Sequence, residues 1–170
     1  CCRTAMTLSR HAGRVDAGFS PRIDVTPSER NEPMIVRDNG IGLGPDEMRT
    51  FLATIGGSSK RDDFAVARRG FLGQFGIGLL SCFLVAHTLE VRSKSAKTKD
   101  APTTLWVGHA DGTFTVSDSN YALDGPGTEV KIMPRHGDLE WCNEETLRKL
   151  AGDFAELLDV ALRVKGDLMR

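Results

Sequence analysis

The chain changes repeatedly between two spacings of apolar positions, one typical of strands and one typical of helices. Alternation predicts a strand over residues 22–26 and another over 34–36, joined as a hairpin across the turn between Pro27 and Pro33. Asp111-Gly112 predicts a two-residue hairpin turn between two later strands. The later predicted strands are residues 88–93, 104–110, 113–116, 129–133 and 161–165.

Helical spacing appears in three places, and the first twenty residues add a helix predicted from composition alone. Gly44-Pro45-Asp46-Glu47 opens the first periodic helix, with proline at its start and acidic residues in its first turn. A buried helix is predicted over 77–84 and an amphipathic one over 144–158. The inward stripe of the first helix is Met48, Phe51, Leu52 and Ile55. The inward side of the second is Ile77, Leu80, Ser81 and Leu84.

This order of elements predicts an α+β fold, a two-layer α/β sandwich with helices on one face of a mixed, mostly antiparallel sheet. A length of 170 residues fits a single domain. The segment 56–71 is polar, charged and punctuated by glycine, which predicts a long mobile loop. Long loops inside compact domains are usually functional lids or disordered segments.

Charge and composition narrow the classes of function. The net charge of −1 offers no basic field for a nucleic-acid partner. The longest apolar stretch, residues 71–86, is interrupted by glycines and predicts no membrane span. The four cysteines lack metal-ligand spacing, which predicts a reduced chain in the cytoplasm. The four histidines are scattered, and we expect them to be solvated or core residues.

A glycine-rich segment from Gly73 to Leu79 lies where a loop is predicted to become a helix. Glycine permits close approach of the backbone to a ligand, and a helix start presents unpaired N–H groups that suit a polyphosphate. Tight helix–sheet packing would require the same glycines, so both interpretations stay open. The segment is not a P-loop, because no Gly-Lys-Ser/Thr ends it, and no buried strand precedes it as in a Rossmann fold.

A second glycine-rich segment, Asp38-Asn39-Gly40-Ile41-Gly42, follows the second predicted strand. Asp38 is either a turn aspartate or an inward acceptor for an exocyclic amine such as that of adenine. In the second interpretation, Gly42 lets the backbone close onto a flat base and Leu43 packs against it. Thr128, at the start of the strand 129–133, would place its hydroxyl beside Asp38.

These motifs occur in a fixed order: DNGIG at 38–42, TIGGSSK at 54–60, GQFGIGLLSCFLVA at 73–86 and GT at 127–128. The order resembles the nucleotide-binding domain of the heat-shock protein 90 family. That family belongs to the Bergerat-fold ATPase superfamily, which it shares with DNA gyrase, histidine kinases and MutL. The matching motifs span residues 36–132, and the segment 73–86 is the most specific of them.

The resemblance implies a single ATP-binding domain over residues 1–170, with ATP and Mg²⁺ as ligands and chaperone activity toward client proteins. Asp38 would bind the adenine amino group, Thr128 would share a water network around it, and Gly42 and Leu43 would contact the base. Residues 44–73 would form the ATP lid, and Gln74 would approach the terminal phosphate. The backbone wrapping the phosphates would be that of Gly73, Gln74, Phe75, Gly76, Ile77, Gly78 and Leu79.

Departures from the family pattern concern catalysis. An upstream helix in the family carries a glutamate that activates water and, four residues later, an asparagine that ligates magnesium. No Glu-x-x-x-Asn occurs in residues 1–19, so that helix either precedes Cys1 or has diverged. Phe51 and Gly57 stand where the chaperones commonly have Asn and Lys. No catalytic residue or metal ligand is therefore assigned, and we expect weak nucleotide binding and negligible turnover from these residues alone.

Two other interpretations remain. The chain could be a degenerate, non-catalytic module of the same fold that serves binding or regulation. It could also be a histidine-kinase catalytic domain, although the amino-acid sequence of residues 73–86 argues against that. In this family, dimerisation rests largely on regions outside these residues.

Overall fold

The structure is a computed structural model that describes residues 19–30, 32–56, 79, 81–98, 100–158 and 160–169, with only the backbone considered for 51–56. The helix predicted in the first twenty residues lies outside this part, apart from its last two positions, which are not helical. The predicted loop 56–71 lies outside it beyond Gly56, as do the side chains of Phe51, Leu52 and Ile55.

A mixed sheet of eight strands forms the frame of the described residues. The strands are β1 Arg22–Thr26, β2 Met34–Asp38, β3 Ala86–Lys94, β4 Thr103–His109, β5 Phe114–Asp118, β6 Gly127–Pro134, β7 Ala161–Val164 and β8 Asp167–Leu168. Their order in the sheet is β5-β4-β3-β6-β2-β1-β7-β8. Only β1 and β7 pair in parallel; the other neighbours described are antiparallel. The predicted α+β fold, with its mostly antiparallel sheet, is therefore confirmed.

Two α-helices are described over their whole length, and each begins with a recognisable cap; Leu79 and Ser81 are helical as well. Helix α1 spans Pro45–Gly56, and the Gly44 N–H donates to Glu47 Oε2 at 2.9 Å. That contact is half of a capping box, in which the third helical residue reaches back to the cap. Helix α2 spans Glu144–Ala155, and Asn143 Oδ1 accepts from the Thr146 N–H at 2.8 Å. Two 3₁₀ helices, η1 Cys82–Leu84 and η2 His136–Trp141, complete the described elements.

The two helices cover different parts of the sheet. Met48 of α1 is fully buried in a cluster formed mainly by β3, β4 and β6, which confirms its predicted inward position. Helix α2 packs against β1 and β7. The first cluster contains Met48, Ala86, Leu89, Val91, Trp106 and Ile132. The second contains Ala151, Ala155, Leu162 and Val164.

The prediction of a buried helix over 77–84 is confirmed as helical at Leu79 and Ser81, but two of its four predicted inward positions are wrong. Ser81 is exposed and Leu84 is 73% exposed, whereas Leu79, Cys82 and Phe83 pack against the first cluster. The reason is that β3 already begins at Ala86, so the last helical turn tightens into the 3₁₀ helix η1. A 3₁₀ turn has three residues rather than 3.6, which shifts the inward positions. Ile77 and Leu80 lie outside the described residues.

One hairpin turn differs from its prediction, and a second hairpin was not predicted. Gly112 donates its N–H to the His109 carbonyl and has φ of 88°, and His109 donates to the Thr113 carbonyl. The β4–β5 connection is therefore a three-residue loop with a glycine bulge, not a two-residue turn. Lys165 and Gly166, with φ of 53° and 90°, form a two-residue turn between β7 and β8. Strand β7 consequently ends at Val164, one residue before the predicted end.

Candidate functional site

A row of polar residues crosses the sheet at one end of its apolar face. Asp38 of β2 is paired with Thr128 of β6, Thr128 with Ser93 of β3, and Ser93 with Thr104 of β4. Two residues along each strand, and therefore on the same face, the partners are Val36, Val130, Val91 and Trp106. On this face of the sheet, apolar core side chains are thus followed by hydrogen-bonding side chains only two residues further along each strand.

Asp38 is half-buried at this end of the face. Its Oδ1 accepts the Gly40 N–H at 2.7 Å, so it is indeed a turn aspartate. Burial nevertheless raises the pKa of its carboxyl above the ordinary value, although hydrogen bonds from the Gly40 and Thr128 backbone oppose this. The turn interpretation and the inward interpretation are therefore compatible. The carboxylate is held as an acceptor whose charge lacks full solvation.

The loop after Asp38 is held against the end of β3. The Leu43 N–H donates to Ser93 Oγ at 2.8 Å, and the Ala96 N–H donates to the Ile41 carbonyl at 2.8 Å. Asn39 holds the opposite end of the loop, because its Nδ2 donates to the Ser20 carbonyl at 2.9 Å. Hydrogen bonds to two separate segments, the end of β3 and the residues before β1, thus define the position of the loop.

Gly42 and Gly127 are both required by close backbone approach. Gly42 has φ of 59°, and a Cβ on it would lie 1.9 Å from the Lys94 carbonyl oxygen. Gly127 has φ of 142°, and its Cβ would lie 2.2 Å from the Asp38 carbonyl oxygen. The approach that demands glycine at position 42 is therefore to the chain's own strands. A contact between Gly42 and a base stays a prediction.

Ser93 joins the segments of the site, and the sequence analysis missed it. Its hydroxyl is fully buried, lies 2.9 Å from Thr128 Oγ1 and donates to the Gly127 carbonyl at 3.0 Å. Nothing in the local sequence distinguishes it from Ser95, two residues later on the same side of the chain. The only signal was a serine continuing the buried alternation of Leu89 and Val91.

The structure brings together only part of the predicted site. Asp38, Gly42, Leu43 and Thr128 lie around the Ser93 hydroxyl and the ends of β2, β3 and β6. Leu79 is half-buried against the first core cluster. The predicted phosphate segment, Gly73 to Gly78, lies outside the described residues, as does most of the predicted lid 44–73.

Two further statements concern only the described part of the chain. There, no group of three or more His, Cys, Asp and Glu side chains could hold a metal ion. No helix of that part is long and apolar enough to cross a membrane.

Thr104, at the end of the polar row, predicts a stabilising substitution. Its hydroxyl is buried without a hydrogen-bond partner among the described residues, and the residue is 1% exposed. We expect Thr104→Val to raise the free energy of unfolding by about 1 kcal/mol, because an unsatisfied buried hydroxyl is replaced by a methyl group of the same shape. Denaturant unfolding measures the change.

The neighbouring Thr103 is the matched control. It is also buried, but its Oγ1 accepts the Leu123 N–H at 2.9 Å. Thr103→Val should therefore destabilise the protein by about 1 kcal/mol. Equal effects of the two substitutions would contradict the assignment of Thr104 as unsatisfied.

The sequence also matches known proteins. Residues 16–122 match the family model described as histidine kinase-, DNA gyrase B-, and HSP90-like ATPase. The chain is 26% identical to the TNF receptor-associated protein 1 homolog, mitochondrial, of Dictyostelium discoideum over 156 residues, which cover 89% of this chain and 22% of that protein. It is 32% identical to the chaperone protein HtpG of Sulfurimonas denitrificans over 161 residues, or 88% of this chain and 24% of the relative.

A second chaperone protein HtpG, from Helicobacter hepaticus, is 27% identical over 150 residues, which cover 81% of this chain and 23% of the relative. The chain thus spans about a quarter of the length of these relatives. The family model, in contrast, covers more than half of the chain, from before β1 to beyond β5. The chain belongs to the family of histidine kinase-, DNA gyrase B- and HSP90-like ATPases, in the branch of its HtpG and TNF receptor-associated protein 1 relatives.

Proposed function

We propose that this chain is the ATP-binding domain of a heat-shock-90-like molecular chaperone ATPase that binds ATP and ADP with Mg²⁺. The observation that carries the proposal is the polar row in which Asp38, Thr128 and Ser93 adjoin an apolar sheet face. A flat base needs an apolar surface for its ring and a few fixed polar groups for its edge. This end of the sheet combines the two.

In this proposal, Asp38 recognises the base. Its carboxylate accepts a hydrogen bond from the exocyclic amino group of adenine, and Thr128 contributes through the water network beside it. Leu43 packs against the ring, and Gly42 brings the loop close to it. If the base carried a carbonyl in place of the amino group, two hydrogen-bond acceptors would face each other with no proton between them. The Asp38 carboxylate would therefore favour a base with an amino group over one with a carbonyl.

The phosphates would be held by the backbone of residues 73–79, with Gln74 near the terminal phosphate and residues 44–73 as the lid. Mg²⁺ would accompany the nucleotide, and no protein ligand is assigned to it. Hydrolysis in this family is attack of water on the γ-phosphate, and it depends mostly on positioning and electrostatics. No general base is assigned. Client proteins as partners and a cytoplasmic location belong to the same proposal.

A non-catalytic module of the same fold is the second candidate. It applies if the helix with Glu-x-x-x-Asn, a motif that does not occur in residues 1–19, has diverged in this protein. Nucleotide binding without turnover is the expected behaviour of this candidate. ATP hydrolysis above the rate of a control lacking protein would exclude it.

Isothermal titration with ADP and Mg²⁺ tests the role of Asp38. We expect weak binding by the unchanged protein and a loss of about ten- to a hundredfold in Asp38→Asn, because an amide NH₂ would face the amino group of adenine. Asp24→Asn is the matched control, since Asp24 is an acid on the adjacent strand with its side chain on the opposite face. It should bind as the unchanged protein does. Equal affinities of the Asp38 and Asp24 variants would sink the assignment.

The stability of the ligand-free protein separates loss of binding from loss of fold. Because burial raises the pKa of Asp38, its contribution to stability is fully present below the pKa of the unfolded chain and is lost as pH rises through the folded pKa. Near pH 7 the charged, half-buried carboxylate therefore costs stability. We expect Asp38→Asn to be more stable than the unchanged protein there, and the difference to shrink below about pH 4. A variant that is less stable at pH 7 would contradict this account.

A further inference from the structure

Ser93 uses its whole hydrogen-bonding capacity on three parts of the site. A serine hydroxyl has one proton to donate and two lone pairs to accept with. The Leu43 N–H can only donate to it, at 2.8 Å, and the Gly127 carbonyl can only accept from it, at 3.0 Å. The remaining neighbour is Thr128 Oγ1 at 2.9 Å, which can do either.

These partners determine the direction of the last hydrogen bond. When the Ser93 proton points to the Gly127 carbonyl, Thr128 must donate its own proton to Ser93. This arrangement satisfies every group around the buried hydroxyl, and buried polar groups are normally satisfied. Thr128 then has only lone pairs left for the ligand side of the site.

We propose that Ser93 is a specificity-determining positioning residue that holds the Thr128 hydroxyl as an acceptor toward the bound base. Asp38 and Thr128, paired across β2 and β6, then present acceptors only, which suits an exocyclic amino group and opposes a carbonyl at the same position. The inference rests on the proposed nucleotide site, and it assigns the selection of amino over oxo purines to a residue that does not touch the ligand.

The ratio of affinities for two nucleotides distinguishes this role from a merely structural one. ADP carries an amino group on the purine ring where inosine diphosphate carries a carbonyl. Loss of stability reduces the competent fraction of the protein and weakens both nucleotides equally, so the ratio stays constant. In this inference Thr128 also faces the exocyclic group directly, beside the water network. A Thr128 hydroxyl released to rotate can therefore donate to the carbonyl, and the ratio then falls.

The experiment measures the dissociation constants of ADP and inosine diphosphate, each with Mg²⁺, by isothermal titration on the 170-residue chain. We expect Ser93→Ala to lower the preference for ADP about fivefold, the value of one hydrogen bond of about 1 kcal/mol. Ser95→Ala is the matched control. Ser95 is buried and lies two residues further along, and among the described residues its hydroxyl accepts only the Lys97 N–H, at 3.2 Å. Its ratio should equal that of the unchanged protein. If Ser93→Ala does not fold, Ser93→Cys provides the same comparison.

A double-mutant cycle tests whether Ser93 acts through Thr128. In a Thr128→Val background, Ser93→Ala should leave the ratio unchanged, because no hydroxyl remains to be oriented. An unchanged ratio in Ser93→Ala alone, or an equal change in both backgrounds, would overturn the inference while leaving the nucleotide site intact. Failure of the unchanged protein to bind ADP would instead overturn the proposed function, and this inference with it.

Discussion

Replacing Gly42 with alanine is expected to destabilise the protein by about 2–5 kcal/mol. A non-glycine residue at φ of 59° costs roughly 1–2 kcal/mol, and inserting a methyl group into packed backbone costs about 1–3 kcal/mol more. The obstacle is backbone, because the new Cβ would lie 1.9 Å from the Lys94 carbonyl oxygen and 2.9 Å from that of Gly127. A carbonyl in a paired strand cannot move aside as a flexible side chain would. Denaturant unfolding of both proteins measures the loss.

Gly125→Ala is the control for Gly42→Ala. In the part of the chain that the structure describes, no heavy atom lies within 4 Å of the position that a Cβ on Gly125 would take, and the φ of Gly125 is not in the left-handed region. We expect a change of less than about 0.5 kcal/mol there. A loss below about 1 kcal/mol in Gly42→Ala would show that the loop after Asp38 can shift, and it would weaken the case for a rigid base-reading loop.

The second large effect is expected on the opposite face of the sheet. Side chains of alternating charge form a row across five strands there, and the row ends in Arg92 and Glu129. The other members of the row are Arg163, Asp24 and Arg37. The side chains of Arg92 and Glu129 are only 13% and 9% exposed, and Arg92 Nη1 lies 3.6 Å from Glu129 Oε1. The pair is thus buried at a distance too long for a hydrogen bond.

Arg92→Met is expected to destabilise the protein by about 3–5 kcal/mol, because it leaves the buried Glu129 carboxylate without its nearest cation. The remaining cation, Lys131, is 4.0 Å away. Glu90, which Arg92 contacts at 2.8 Å, would lose its partner as well. Thermal or denaturant unfolding at low ionic strength measures the effect.

The double variant Arg92→Met/Glu129→Leu should recover most of that loss, since replacing a whole buried ion pair with apolar residues is often neutral or stabilising. Arg22→Met is the exposed control. Arg22 contacts Asp24 at 2.8 Å, but both side chains are more than a third exposed, so a loss below about 1 kcal/mol is expected. Similar losses for Arg92→Met and Arg22→Met would mean that water reaches the Arg92–Glu129 pair.

Local patterns were sufficient for most elements of the fold. Strand β1 was predicted with its observed ends, and helix α1 begins at Pro45, as proline and acidic residues at a helix start indicate. Such features depend on neighbours within a few residues. Where a segment ends depends more on residues that are distant in the sequence. The helix predicted to reach Leu84 is shorter than predicted because β3 begins at Ala86, and the register of β3 with β6 depends on such distant residues.

The candidate site shows the same division. The aspartate, the glycines and the threonine of the motifs were recognisable one by one, because turn chemistry and their order along the chain identify them. The contacts that these residues make with one another and with other strands could not be recognised from the sequence. Gly42 must be glycine because the Lys94 carbonyl lies so close to it, and Gly127 must be glycine because of the Asp38 carbonyl. Ser93 differs from Ser95 in its contact with the Thr128 hydroxyl.

The sequence by itself determined seven of the eight described strands, the starts of α1 and α2, the turn at Asp38 and the family, because each follows from residue types at short spacing or in a characteristic order. Only the tertiary structure decided which strands are neighbours, that β1 and β7 run parallel, and that Asp38, Thr128, Ser93 and Thr104 form one row. The physical reason is register. A shift of one residue in any of these strands would turn its polar group to the opposite face, and that choice is made by the packing of the whole sheet.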